Sequence, residues 1–317
     1  MKPLNNRHLA NAVITILPLT AAVLLAWWGT SYRSTIDRGH ELNVISVNSS
    51  SDLQEKFEQI GFSWPLSSGP TIPRITVRSL PRDLDSVTDL ELRKSLFIRA
   101  LLPSILAENQ RIRLVRERVQ SILKNGLSIT QMSARRWLQN IMHTYRVRGD
   151  LKQPAVQQQL LRRLDEIPPA LVLAQAANES GWGTSRFAIE GNNLFGIWTF
   201  QREMGLIPEA RAGDLEHQVR TFPDIRASVK TYLYTLNIGR SYRELRRLRE
   251  NMRSTNQSLD AVTLAEGLVH YSQRGMEYVD EVRAIIERNQ LDFLDEVDLH
   301  PLEVELVLNI FTVSTDG

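Results

Sequence analysis

Cysteine is absent from the 317-residue chain, which excludes a disulfide framework, a thiolate nucleophile and any thiolate-held metal while leaving the compartment open. Histidine is scarce. The six residues are scattered, with no H-x-x-x-H pair or other ligand spacing, so neither a metal nor a cofactor is predicted. A surplus of charge is missing as well: 38 Lys and Arg against 36 Asp and Glu leave a formal net charge of +2. Proteins that neutralise a phosphate backbone carry far more basic charge than that, and no nucleic-acid partner is expected. The length suffices for one core of roughly 150 to 250 residues plus extras. Oligomeric state is not legible at this stage.

Long apolar runs are lacking with one exception, Leu9 to Trp28, an uncharged stretch of about twenty residues preceded by Lys2, Arg7 and His8. A cleaved signal peptide has a shorter apolar core and a small-x-small exit, whereas this run ends in Ala26-Trp27-Trp28-Gly29. Residues 1–29 are therefore read as an uncleaved single-pass anchor, basic end in the cytoplasm and the remainder in the periplasm. Residues 30–88, with Ser67-Ser68-Gly69-Pro70, Pro73 and Pro81, read as a tether and lead-in with short extended pieces around Ile75 and Val77.

From about Asp89 the period becomes helical. Leu92, Leu96, Leu101, Ile105 and their neighbours recur at three- and four-residue steps, with Pro103 expected to bend or interrupt the run before Asn125-Gly126. Further helices are predicted over 133–146, 154–164, 225–236 and 279–289, and 296–317 is left as a C-terminal tail.

Pro168 to Phe200 organises the rest. Two prolines open a helix and Ser180-Gly181 close it. Its acidic residue, Glu179, shares a largely apolar face with Ala176, Gln175, Val172 and Leu171. A carboxyl there is either desolvated, with its pKa lifted towards the range a general acid needs, or solvated at a fraying helix end that its charge does not favour. After the Gly191-Asn192-Asn193 turn, Leu194 to Phe200 reads as a strand, with 217–222 as its nearest partner. Glu203, Glu209, Asp214 and Glu216 lie between them. The tip of this hairpin is therefore rich in acids.

The string Ala174-Gln175-Ala176-Ala177-Asn178-Glu179-Ser180-Gly181-Trp182-Gly183, followed by Asn193-Leu194-Phe195-Gly196, closely resembles the catalytic signature of the β-N-acetylglucosaminidase family that cuts bacterial peptidoglycan, most of all its Bax-type branch. Tyr271-Ser272-Gln273-Arg274-Gly275-Met276-Glu277-Tyr278 is similar to the family's cleft-lining tyrosine element, although the more usual Asp-Pro between the tyrosines is missing.

The resemblance covers roughly residues 90 to 290. It implies a mainly α, lysozyme-like α+β fold, with a helical lobe, a small β-hairpin lobe and a cleft between them, over a catalytic domain at 89–295. It implies Glu179 as general acid, Glu209 as second carboxyl with Asp214 and Glu216 still open, and Tyr271 as a catalytic phenol. Trp182, Asn193, Phe195 and Tyr278 are expected to bind the glycan strand of peptidoglycan. The activity implied is hydrolysis of the β-1,4 bond after N-acetylglucosamine. A muramidase, a lytic transglycosylase or a silent wall-binding protein are the other readings of the same fold.

Overall fold

The computed structural model describes residues 41–66, 71–125, 132–199, 205–206 and 218–301. The chain divides into two compact units, Met1–Glu41 and Leu42–Gly317, and all the elements below belong to the second. The expected anchor at Leu9 to Trp28 lies outside the described residues. Among those residues, no helix is long and apolar enough to cross a membrane.

The architecture is mainly helical with small sheets. Helix α1 (Ser50–Gln59) comes first, followed by the long α2 (Leu90–Asn125). Helix α2 passes through Pro103 without a break. Every residue from Ser95 to Asn109 is buried, and packing on all sides holds the geometry that the ring alone would disturb. Helix α3 (Met132–Thr144) and α4 (Pro154–Arg163) lead to α5 (Pro169–Ser180), which carries Glu179. Then come the short α6 (Arg186–Gly191), α7 (Ile225–Ile238), α8 (Arg243–Ser254), α9 (Ala261–Ala265) and α10 (Met276–Arg288). Helix α5 packs between α10 and α2, and α2 also packs along α7. From Pro169 to Ala177, α5 is buried throughout, so the carboxyl at its end is held on a rigid rod.

Among the described residues, three small sheets accompany this helical body. Strand β1 (Asn43–Ile45) pairs in parallel with β3 (Ile75–Val77), in register Asn43 to Ile75. Strand β2 (Thr71–Ile72) pairs in parallel with β7 (Asp298–Leu299). Near the cleft, β6 (Gln218–Arg220) runs antiparallel between β4 (Trp198–Thr199) and β5 (Gly205–Leu206).

Three expectations need correction. Residues 30–88 are not a tether from Leu42 onward: Leu53, Phe57, Phe62, Ile72, Val77, Leu80 and Leu84 all enter the common core. Leu53 and Phe57 stand one helical turn apart, and that stripe docks α1 on α2. The strand expected over Leu194 to Phe200 shortens to β4. Asn193 accepts the backbone N–H groups of Phe195 and Ile197 on its Oδ1 (3.3 and 3.0 Å) and donates from Nδ2 to the Ile197 carbonyl (2.8 Å). A side chain thus takes the backbone bonds that a strand ladder would use, and Gly196 turns through φ 62°. The tail is likewise part of the body as far as β7, where Leu299 is buried; residues 302–317 lie outside the described set.

Candidate active site

Glu179 stands in the last turn of α5, which ends at Gly181 in the left-handed region (φ 59°). Ser180 ties off this corner. Its hydroxyl donates back to the Ala176 carbonyl (2.6 Å) and accepts from the Gly183 N–H (2.8 Å). The Glu179 carboxyl faces a cleft of about 500 Å³ whose walls include Gly196, Trp198, Tyr242, Tyr271 and Tyr278.

Tyr278 of α10 donates its phenolic hydrogen to Glu179 Oε1 across 3.0 Å, and receives the Nε2 hydrogen of the fully buried Gln175 at 3.2 Å. The Tyr271 ring stacks on Tyr278 with centroids 4.9 Å apart, and its hydroxyl donates to the Phe195 carbonyl at 3.2 Å. On the open side, a Cβ at Gly196 would sit 3.6 Å from Glu179 Oε2. One carboxyl oxygen is therefore engaged by Tyr278, and the other lies beside Gly196, which carries no side chain.

Burial raises the Glu179 carboxyl above its ordinary range, and the hydroxyls of Tyr278 and Tyr271 together with the Arg274 guanidinium partly restrain the rise. The tyrosines respond in kind. Burial first, and then the nearby carboxyl, drive the hydroxyls of Tyr271 and Tyr278 upward, and the same causes push Tyr242 up to about 12. These phenols are hydrogen-bond donors here and not bases. Arg274 is itself held by Glu281, with Nη2 to Oε2 at 2.7 Å.

The structure brings Glu179, Phe195, Tyr271 and Tyr278 together on one cleft. It separates two other expected residues from it. Trp182 packs edge-on to Phe97 at 5.7 Å, with the Lys94 ammonium 5.5 Å from its ring centroid, so it braces the corner after α5. Asn193 is buried and spends its amide on the turn that presents Gly196 and on the Arg220 carbonyl (2.8 Å). Glu209, Asp214 and Glu216 lie outside the described residues. Among the described residues that line the cleft, Glu179 is the one acid.

Sequence reasoning missed Trp198, Tyr232 and Tyr242 as cleft residues. Trp198 stands half exposed on β4, Tyr232 stacks flat on Phe195 with centroids 3.9 Å apart, and Tyr242 tilts against Tyr271 at 6.2 Å. The available signal was Tyr232 and Thr235 at helical spacing on α7, which puts two hydroxyl-bearing side chains on one face.

Residues 155–291 match the family described as Glucosaminidase: Mannosyl-glycoprotein endo-beta-N-acetylglucosaminidase. Protein bax of Escherichia coli (strain K12) is 31% identical over 199 residues, which span 62% of this chain and 70% of that protein. Exo-glucosaminidase LytG of Bacillus subtilis (strain 168) is 28% identical over 162 residues, spanning 48% of this chain and 55% of that protein. No solved structure matches the chain. The tyrosine-lined acid and its signature lie inside the matched span, and the chain belongs to the glucosaminidase family, as a Bax-type glucosaminidase-domain protein.

Proposed function

We propose that this chain is a peptidoglycan hydrolase that cleaves the β-1,4 bond after N-acetylglucosamine, with Glu179 as general acid. The observation that carries the proposal is the carboxyl itself: raised by burial, held by Tyr278, and open towards Gly196 inside a tyrosine-lined cleft. A neutral carboxyl at working pH protonates the glycosidic oxygen as the bond breaks, and the fixed dipoles around it need no rearrangement at that moment. Trp198, Tyr271 and Tyr278 supply aromatic faces and hydroxyls for a pyranose.

The second group comes from the acidic segment carrying Glu209, Asp214 and Glu216 or from the acetamido group of the substrate. Glu209→Gln and its two counterparts separate these sources, because a substrate-assisted reaction survives all three. The family is described as an endo-enzyme and one relative as an exo-enzyme; the length distribution of early products decides between them here. The apolar run Leu9 to Trp28 is proposed to tether the enzyme to the inner membrane, facing the periplasm, and retention in the membrane fraction after alkaline extraction tests it.

The main experiment digests purified peptidoglycan with the protein and with Glu179→Gln, followed by mass spectrometry of the fragment ends. Reducing N-acetylglucosamine ends that disappear in the variant support the reading. Muramic or anhydromuramic ends would replace the bond assignment, and wall binding without fragments would replace the catalytic one.

A further inference from the structure

Gln175 lies one helical turn before Glu179 on the same face of α5, beneath the cleft and fully buried. We infer that Gln175 is a positioning residue, which fixes the direction of the Tyr278 hydroxyl and thereby decides which oxygen of Glu179 carries the catalytic proton. The inference rests on the proposed role of Glu179.

A phenol has a single hydrogen to give. With the Gln175 amide N–H directed onto the phenol oxygen (3.2 Å), that hydrogen goes to Glu179 Oε1 (3.0 Å). The proton of the neutral acid is then left to Oε2, the oxygen beside Gly196 where a glycosidic oxygen has room. Without the amide, the hydroxyl is free to rotate and to accept from the acid, which would turn the catalytic proton inward.

A second observation points the same way. Among the described residues no donor reaches Gln175 Oε1. A buried amide with one end unused is a liability that Met or Leu of similar volume avoids. What Gln offers at this position and they do not is the N–H on Tyr278.

Among the described residues, the other titratable groups around Glu179 are Tyr232 of α7, Tyr242, Tyr271 and Arg274 from the connecting segments, and Tyr278 and Glu281 of α10. Gln175 is uncharged, so its replacement alters none of their charges and acts only through the phenol.

The test measures kcat and KM against pH on purified peptidoglycan for the full chain, Gln175→Met, Gln175→Asn, Tyr278→Phe and the Gln175→Met/Tyr278→Phe double variant. Glu179→Gln is the control, and thermal melts report folding. Asn keeps the amide but is one methylene too short, so it carries the test if Met disturbs the helix. The expected result is a kcat lowered about tenfold with KM nearly unchanged. The alkaline limb, which reports the general acid, moves to higher pH because the carboxylate has lost an oriented donor. In the Tyr278→Phe background the Gln175 change moves the limb no further.

A folded variant with the parent profile overturns the inference. So does a lower kcat with an unmoved limb, the mark of a merely structural residue. If Glu179→Gln is as active as the parent, the reading of the acid itself fails; if it is inactive while the Gln175 variants behave as the parent, only the present inference fails.

Discussion

Tyr278 and Glu179, 99 residues apart in sequence, meet across a 3.0 Å hydrogen bond in which the phenol is the donor. The bond opposes the effect of burial on the same carboxyl: burial lifts its pKa, and the phenol lowers it. Helix α10 packs along α5, so one helix carries the acid and its neighbour restores part of the acidity that burial removes.

Tyr278→Phe removes the restraining donor and leaves the burial. The carboxyl pKa rises further, so the alkaline limb of the rate profile shifts to higher pH, while kcat falls about ten- to a hundredfold through loss of orientation. Melting should report a loss on the order of 1 kcal/mol, because the Gln175 amide loses its phenol acceptor. A variant with an unmoved limb would show that this bond does not set the acidity of Glu179.

Gly196→Ala places a methyl where its nearest neighbour is Glu179 Oε2, 3.6 Å away. Nothing clashes, yet the backbone is in the left-handed region and Ala there costs about 1 kcal/mol. The folded variant should lose most of its kcat/KM on long glycans, since the methyl fills the approach to the acid. Parent-like kinetics with a lowered melting temperature would mean that the bond approaches from elsewhere.

Helix α5 and the tyrosine element were legible because their signals are local: prolines at a helix start, Gly at its end, and an acid on an apolar face. The turn at Leu194 to Phe200 was not. β-forming residues suggested a strand, and the deciding bonds come from the side chain of Asn193. The packing of the lead-in on the core was hidden for a related reason, since prolines and serines interrupt its periodicity while Leu53, Phe57 and Leu84 bury against helices from elsewhere in the chain. Trp198, Tyr232 and Tyr242 converge only through tertiary structure. Asn193 and Trp182 sit in the signature and read as ligand contacts, although their partners are backbone groups and a neighbouring ring.

Asn193→Ala tests that distinction. The substitution removes bonds to Phe195 and Ile197 in the turn beside the cleft and to Arg220 of β6. Melting should report a loss of about 2 to 4 kcal/mol from orphaned backbone groups and a small void. A glycan contact would instead show as a raised KM with the melting temperature unchanged, and that result would return Asn193 to the substrate site.

Asp295 gives a stability prediction with a defined pH window. Its carboxylate receives the Ala170 N–H at the start of α5 (2.9 Å) and the Ala261 N–H at the start of α9 (3.1 Å), so one side chain caps α5 and a neighbour that packs on it. Burial is the main cause that lifts it to about 7, against the two N–H donors and with help from Asp260 and Asp292. The folded protein therefore holds the proton more tightly than the unfolded chain, whose carboxyl titrates near 4. Between about pH 4 and 7 the folded state binds more protons, and stability must fall as pH rises through this window before levelling above it. The integrated effect is on the order of a few kcal/mol at most. Asp295→Asn removes the titration and flattens this part of the curve. It also weakens one cap, since an amide presents only one acceptor oxygen and turns a donor towards the other N–H. Denaturant titrations from pH 4 to 8 should then show the variant less stable than the parent at the acid end, with the gap closing as pH rises. An equally steep fall in both proteins would assign the window to another group.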